Sequence, residues 1–398
     1  MDALSPLPVL LCVMMAFLTS LFLARNYQPK PGRFATLDGL RGYLALMVFL
    51  HHATFWYFWL RTNEWAPPPS HLYTHLGHDC VALFFMITGF LFWTKLIESK
   101  EKPIQWSQLF ISRMLRLMPL YFFMVVVMML VVLDLSHFSL HEGPLAILKE
   151  IAGWLGFTMW DRPDVDGVEH TWMIISGVQW SLRYEWYFYL CLPLFGILFG
   201  RVAPFPFLLL GCGLSYLILD TQLMIKPVFI HLCPFAGGML AAHLVRFKAF
   251  KKWAQHSVAT VLALACLAFE VYHFDTAYNA KALLFLSTTF ILIACGNDLF
   301  GLLSHRLAYF LGERGYSLYL LHGFLLFFLF RFVLGYETAA KLGSTTHWLI
   351  LVGLLTPVLV LASDWTYRHI ELPGMRLVPK WSGRLAALSA RLQPRKVI

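Results

Sequence analysis

The stretch LDGLRGYLALMVFLHHATFWYFWL, residues 37–60, is apolar enough to lie inside a lipid bilayer, yet it carries four ionisable side chains. Such a group at mid-membrane costs about 2.5–3.5 kcal/mol on insertion scales, so these residues are rare there and usually functional. Arg41 and His52 are eleven residues apart, which is three helical turns, so they share one helical face about 16 Å apart along the axis. His51 is rotated by about 100° from His52. The spacing therefore pairs Arg41 with His52.

This pair could hold an anion and move a proton. A neutral imidazole titrates near neutrality and can accept a proton at a depth where a carboxylate is hard to keep charged. We therefore predict that His52 is a general base and that Arg41 grips or orients a substrate. The structural alternative is that Arg41 reaches the membrane interface and pairs with Asp38, while His52 is a hydrogen-bonded packing residue.

Three further charged residues could complete a site. Arg113 and Arg116 are three residues apart, so they share a helical face, and their guanidinium groups suit phosphates. Anchoring of a span on its cytoplasmic side explains them equally well. Glu185 lies beside Arg183 near the outer end of a later apolar run. It could orient a substrate hydroxyl, pair with an arginine or hold helices together.

A second group of residues has the spacing of metal ligands. His71, His75 and His78 would cluster on one face of a helix. They follow the segment APPPS, however, and we expect a polar loop that faces substrate at this position. The sequence therefore predicts no metal site.

The composition indicates which elements must position these residues. The chain has 398 residues, of which 59% are hydrophobic and 13% charged, against about 25% charged in soluble proteins. With a mean hydropathy of +0.65, this predicts an all-α polytopic transmembrane helical bundle. Seven cysteines are scattered without a C-x-x-C pair, and we expect most of them to be buried thiols.

Apolar runs of about 17–25 residues, the length that crosses a hydrocarbon core of ~30 Å, predict 10–11 spans. The candidates are 7–24, 37–60, 79–97, 110–134, 178–199, 202–219, 226–245, 256–273, 281–297, 316–335 and 347–369. Lys and Arg are concentrated in alternate loops, which predicts an N-terminus outside and a basic tail in the cytoplasm. A basic face beside anionic lipid explains the net charge of +9 without a nucleic-acid partner.

Six short segments follow one another along the chain. They are LDGLRGYLALMVFLHH, LFFMITGFLF, ISRMLRLMPLYFF, WSLRYEWYFYL, LGERGYSLYLLHGFLL and YRHIELP. In this order they resemble the motifs of the acyltransferase 3 family of integral-membrane O-acyltransferases, from its arginine, ten residues and histidine to its closing E-x-P. Each segment alone is a weak signal, but the ordered set over residues 36–373 is a strong one.

The resemblance implies a membrane-bound O-acyltransferase that moves an acyl group, with acetyl favoured, from acyl-CoA to a hydroxyl of a carbohydrate or glycolipid. It implies that His52, Arg41 and Glu185 are catalytic. Arg113 and Arg116 would then bind the acyl donor. Four further polar residues that match the motifs would have supporting roles: Asp38, Tyr121, Ser317 and His322. We expect His322 to be a buried hydrogen-bonding residue.

The chain departs from the family pattern in three places. Residues 1–35 add a transmembrane helix and a basic linker before the membrane domain at 36–373, and residues 374–398 form a basic tail that we expect in the cytoplasm. Gly315 stands where a serine is usual, and Tyr187 stands where Gln or His is common. The last two differences bear mainly on substrate choice.

The resemblance also sets the expected partners. No cofactor is expected to be bound, acyl-CoA serves as co-substrate, and the partners are membrane lipids and the acceptor, in the cytoplasmic (inner) membrane of a bacterium. Four tryptophans of the outer loops offer faces for sugars or lie at the membrane interface: Trp65, Trp154, Trp160 and Trp172. Two alternatives stay open, namely acylation of a small lipophilic metabolite such as a macrolide, and a transporter or flippase that uses the same ionisable groups.

Overall fold

A computed structural model describes residues 2–29, 32–99, 101, 104–159, 162–199 and 228–384. The predicted span 202–219, Trp160 and the tail beyond residue 384 lie outside the described residues. The described part is helical and contains no strand; a single isolated bridge joins Val165 and Val168.

The described helices follow one another along the chain. They are α1 (Leu7–Leu23), α2 (Ala35–Thr62), α3 (His71–Glu98), α4 (Trp106–Leu135), α5 (Pro144–Leu155), a 3₁₀ helix (Thr171–Ile175), α6 (Trp180–Phe199), α7 (Val228–Leu244), α8 (Lys248–Ala254), α9 (Ser257–His273), α10 (Ala280–Ala294), α11 (Arg306–Glu313), α12 (Gly315–Val333), α13 (Tyr336–Lys341) and α14 (Ser344–Arg384). Helix α14 contains two π-helical turns, at Leu351–Leu355 and Tyr367–Glu371. We call the end of the bundle where α2 begins, α3 ends and α4 begins the basic end.

The helix lengths confirm an integral-membrane bundle. Among the described residues, α2, α3, α4, α12 and α14 are each long and apolar enough to cross a membrane. Helices α7 and α8 add a sixth span only if this pair, bent by 114°, counts as one. Ten of the eleven predicted runs coincide with helices, three of them the shorter α1, α9 and α10. The all-α architecture is confirmed, and the total of 10–11 spans stays a prediction.

The start of α3 corrects one expectation. Residues 71–78 form the first two turns of α3 rather than a polar loop. Pro67, Pro68 and Pro69 lie outside the helix, and Ser70 then caps it, because its hydroxyl accepts a hydrogen bond from the backbone N–H of Tyr73 at 3.4 Å. The prolines thus set where the helix begins instead of preventing it.

Helix α2 lies at the centre of the bundle, where it packs against α3, α11 and α12. Glycine permits the closest of these contacts. A Cβ atom at Gly312 would collide with the backbone carbonyl of Asp38, and one at Gly39 would collide with the carbonyl of Leu303. The backbones of α2 and the α11–α12 corner therefore touch directly, beside Arg41.

Candidate active site

Two adjoining cavities lie between α2, α3, α4, α6 and the α11–α12 corner. The central cavity has a volume of about 290 Å³, and its lining includes Arg113, Glu185 and several phenylalanine and tyrosine side chains. The basic-end cavity is about 170 Å³, and its lining is more polar. Arg41, Arg116 and Gly312 line both cavities, so the two meet at these residues. The structure thus brings together four charged residues that the sequence singles out.

The arginines of these cavities are unequally paired. Arg41 donates a hydrogen bond to Asp38 at 3.0 Å, the partner that the structural alternative predicts, and it still faces both cavities. Arg113 lies over the ring of Phe92, and Arg116 contacts the sulfur of Met375 at 3.7 Å. Within the described part of the chain, no carboxylate lies within 4.0 Å of Arg113 or Arg116. Two guanidinium groups without anionic partners are suited to bind phosphate.

Glu185 joins two helices at the wall of the central cavity. Its carboxylate accepts hydrogen bonds from the hydroxyl of Thr88 on α3 at 2.9 Å and from that of Tyr189, one turn further along α6, at 3.2 Å. Glu185 forms no ion pair within the described ranges, although it lines the same cavity as Arg113. Of the three roles that the sequence leaves open, helix joining is the one visible in these contacts.

His52 contacts His322 across the α2–α12 interface. Nδ1 of His322 lies 3.2 Å from the carbonyl oxygen of Leu318, which can only accept, so this nitrogen carries a proton. A neutral His322 then presents an unprotonated Nε2, which lies 3.0 Å from Nδ1 of His52. Nδ1 of His52 must therefore donate, and it also lies 3.1 Å from the carbonyl of Val48. This arrangement leaves a lone pair on Nε2 of His52, the form that a general base requires.

Tyr319 connects the histidine pair to the central cavity. Its ring lines the cavity, and the centroid lies 5.9 Å from that of His322. Its hydroxyl contacts Ser181, another lining residue, at 2.9 Å and donates to the carbonyl of Val178 at 3.0 Å. His52 is not among the described residues that line the cavity, so the histidine pair lies one aromatic ring behind its wall.

Gln179 follows Val178 and is a polar residue that sequence reasoning missed. Its side chain is fully buried, and neither the amide nitrogen nor the amide oxygen has a hydrogen-bond partner in the described part of the chain. A buried amide without a partner costs about 1–3 kcal/mol and is rare in folded proteins, so the N–H groups of Gln179 remain able to donate to a group that comes within reach.

Aromatic and polar side chains lie on the far side of the histidine pair, away from the basic end. The ring of Trp65 is 6.5 Å from that of His52, with a 28° angle between the planes, and Trp172 lies 5.4 Å from Trp65. A third cavity of about 510 Å³ lies in this region, and its lining includes Asp166 and Arg331. Trp154, by contrast, is buried and donates its indole N–H to the carbonyl of Pro163, so it offers no free face.

The remaining predicted residues lie outside the two cavities, apart from Asp38. Tyr121 stacks on Phe157 and donates its hydroxyl to the carbonyl of Trp154 at 2.8 Å. Ser317 donates to the buried Glu371 and accepts from Thr366 at 2.8 Å. These contacts join α4 to α5 and the turn after it, and α12 to α14. The structure therefore shows helix-joining contacts for Tyr121 and Ser317.

The three histidines of α3 have three different partners. Nδ1 of His75 contacts Asp79 at 2.6 Å, and Nε2 of His71 lies 3.2 Å from Asp275. His78 contacts Thr276 at 3.0 Å. They share a helical face, as the spacing predicts, but they do not converge on one point.

With this geometry, comparison with known proteins defines the class. Residues 34–367 match a family model described as an acyltransferase domain, so the chain is an acyltransferase. The model is that of the acyltransferase 3 family, which covers nearly the whole chain, and the protein belongs to this family. No curated protein and no solved structure matches it. Membership confirms the resemblance and favours an enzyme over a transporter.

Proposed function

We propose that the protein transfers an acyl group, acetyl in the first instance, from acyl-CoA to a hydroxyl of a carbohydrate or glycolipid. The observation that carries this proposal is the lone pair on Nε2 of His52, which the hydrogen bond from its Nδ1 to His322 leaves free. A base placed in this way lies between a cationic cavity on one side and an aromatic region on the other. Family membership supports acyl transfer, and the donor and acceptor are our inference.

In this proposal the donor enters at the basic end, from the cytoplasm. Its phosphates contact Arg113 and Arg116, which lack carboxylate partners in the described part of the chain, and Arg41 at the junction of the two cavities completes the cationic surface. The flexible arm of coenzyme A then extends along α2, and its thioester reaches the end of the central cavity beside Tyr319. Eleven residues of helix separate Arg41 from His52, which corresponds to about 16 Å.

The acceptor approaches from the opposite side, past Trp65 and Trp172. Both rings are partly exposed and form a T-shaped pair, so an apolar sugar face can pack on them. The third cavity adds Asp166 and Arg331 as hydrogen-bonding groups for hydroxyls. These features favour a carbohydrate or glycolipid acceptor over a small lipophilic one.

The chemical step follows from these positions. Nε2 of His52 takes the proton of the acceptor hydroxyl while its oxygen attacks the thioester carbonyl, and a C–O bond forms as the carbonyl becomes an oxyanion. The buried amide of Gln179 supplies an N–H donor for this charge. Collapse of the intermediate breaks the C–S bond, and the leaving thiolate receives the proton from His52. The products are the ester and free coenzyme A.

The test compares His52→Ala with His369→Ala in membranes supplied with labelled acetyl-CoA and total cell glycans. His369 is a matched control because its Nδ1 also contacts the carbonyl four residues earlier, at 2.8 Å, and because it is exposed. We expect labelled glycan with the wild type and with His369→Ala, and a loss of about 10²-fold or more with His52→Ala. Equal labelling by both variants would exclude His52 as the base. No transfer by the wild type from any acyl-CoA would refute the proposed donor.

A further inference from the structure

Three buried ionisable side chains meet between α3 and α9, at the end of the bundle opposite the basic end. His75 and Asp79 are one turn apart on α3, and Glu270 lies near the end of α9. Their ligand atoms all lie within 4.8 Å of one another, and the three residues are 2%, 6% and 0% exposed. None of them lines the central or the basic-end cavity, so this cluster is separate from the candidate active site.

The hydrogen bonds of His75 fix which nitrogen faces the carboxylates. Its Nε2 lies 2.6 Å from the carbonyl oxygen of Phe274, which can only accept, so Nε2 carries a proton. Nδ1 therefore faces the carboxylates, at 2.6 Å from Asp79 and 3.4 Å from Glu270. The short contact with Asp79 holds a proton between the two atoms, and a metal ion bound at Nδ1 would displace that proton. A histidine that donates one N–H to a backbone carbonyl and presents its other nitrogen is the usual arrangement at metal sites.

Glu270 provides an independent observation. It is fully buried, and neither of its carboxylate oxygens accepts a hydrogen bond from any residue that the structure describes. Across the described ranges, no Lys or Arg side chain lies within 4.0 Å of Glu270 or Asp79. Among the described residues its one basic neighbour within 4.0 Å is Nδ1 of His75, at 3.4 Å. A buried carboxylate with no hydrogen bond is unfavourable by several kcal/mol, so a metal cation between Glu270 and His75 would stabilise it.

The charges and ligand types select the cation. The two carboxylates together carry a charge of −2. A protonated His75 would leave a net charge of −1, whereas one divalent ion beside a neutral His75 brings the net charge of the cluster to zero. One nitrogen and two oxygen ligands suit Zn²⁺, whereas Ca²⁺ requires six to eight oxygens. We propose that His75, Asp79 and Glu270 bind one Zn²⁺ ion, with a fourth position open to water.

The distances are compatible with this assignment. Tetrahedral Zn²⁺ with bonds of about 2.0 Å places its ligand atoms roughly 3.3 Å apart. The separation of 3.4 Å between His75 and Glu270 already matches this value. The separation of 2.6 Å between His75 and Asp79 must widen by several tenths of an ångström, which a small rotation of the aspartate side chain achieves.

The bound ion would join α3 to α9 outside the two donor cavities, neither of which any of its three ligands lines. Glu270, which has no hydrogen bond to α3 among the described residues, would be connected to that helix through the metal. The ion would hold the two helices together, and the inference does not rest on the proposed donor, acceptor or base. It replaces the sequence-based expectation that no metal is bound, because the third ligand comes from a distant helix.

The experiment uses the full-length protein in detergent, purified with a tag that contains no histidine. The protein is incubated with ZnCl₂ alone and dialysed, and zinc per chain is measured by mass spectrometry. We expect about one equivalent in the wild type, and affinity lowered about a hundredfold or more in Glu270→Gln and Asp79→Asn. His71→Gln is the matched control, because His71 lies one turn before His75 and pairs with the exposed Asp275. It should retain the metal.

A second measurement guards against variants that fail to fold. Zn²⁺ should raise the Tm of the wild type and of His71→Gln, and a chelator should reverse the shift, because a ligand of the folded state stabilises it by mass action. Co²⁺ in place of Zn²⁺ should give the visible absorption of a four-coordinate site. A wild-type protein that retains no zinc overturns the proposal, as does zinc retained equally by the Glu270→Gln and Asp79→Asn variants.

Discussion

Replacing Arg113 and Arg116 by glutamine, singly and together, tests whether the central cavity binds the phosphates of the donor. The structure makes these substitutions mild for the fold. Arg113 loses its position over the Phe92 ring at 5.2 Å, which is worth about 0.5–1 kcal/mol, and Arg116 loses a contact with the sulfur of Met375. In the part of the chain that the structure describes, no carboxylate lies within 4.0 Å of either guanidinium group, so neither substitution removes the ion-pair partner of an acidic residue. The variants should therefore fold.

The expected effect on the donor follows from the interaction that is lost. A hydrogen bond to a charged group contributes about 1.5–3 kcal/mol, and 1.4 kcal/mol corresponds to a factor of ten. Each substitution should therefore raise KM for acetyl-CoA by about 10- to 150-fold. The double variant should show less than the product of the two effects, because both guanidinium groups face one ligand.

The assay compares acetyl-CoA with acetyl-pantetheine, which has the same thioester and no phosphate. All three variants should lose kcat/KM with acetyl-CoA and lose little with acetyl-pantetheine. Lys95→Gln is the control, because Lys95 also lies near the basic end but lines a separate cavity. Equal losses with both donors would refute phosphate binding and assign the arginines to structure or acyl chemistry. Unchanged kinetics would leave them as anchors of the span.

Three further predictions concern single residues. Gly312→Ala should lower stability and activity sharply, because a Cβ atom there collides with backbone. Gly353→Ala is the control and should be neutral, because a Cβ atom there meets nothing within 4 Å. The Tm of the two variants in detergent tests this. Gln179→Leu should lower kcat by about 10²–10³ with little change in KM if its amide holds the oxyanion, and an unchanged kcat would exclude that role. Burial raises the pKa of Asp166, but the backbone N–H groups of His141 and Glu142 donate to its carboxylate and hold this pKa below its usual value. The ionised Asp166 should therefore stabilise this loop fully above about pH 4, and this stabilisation should be lost as the pH falls through the folded-state pKa. The rate of proteolysis in the loop should rise over the same pH range, and Asp166→Asn should abolish this pH dependence.

Periodicity and composition were sufficient for most of the fold. A helix that crosses a membrane must be long and apolar, so length and hydropathy located α2, α3 and α4 to within a few residues, except for the first turns of α3. The three-turn spacing assigned Arg41 and His52 to one face of a helix, because helical geometry alone decides which residues share a face, and the catalytic role of His52 stays a prediction. The early start of α3 was missed because proline was treated as a signal for a loop, whereas Ser70 caps the helix directly after it.

Contacts between distant helices could not be predicted from the sequence. His322 was expected to be a buried hydrogen-bonding residue, and nothing in the spacing indicated that its partner would be His52. The same holds for Glu270, which meets His75 only because α9 packs on α3. Gln179 has no sequence signal at all, since its importance lies in a missing hydrogen bond. Such features depend on packing, which periodicity does not encode.

The His52–His322 pair has a kinetic consequence. In a Ser-His-Asp triad a carboxylate stabilises the imidazolium that forms, but in the described ranges no carboxylate lies within 4.0 Å of either ring of this pair. A proton taken up by His52 would therefore create an unbalanced charge in an apolar surrounding and should pass to the departing sulfur almost at once. The tetrahedral intermediate should then be short-lived, with attack and C–S cleavage following closely on each other, and solvent deuterium should slow the whole turnover.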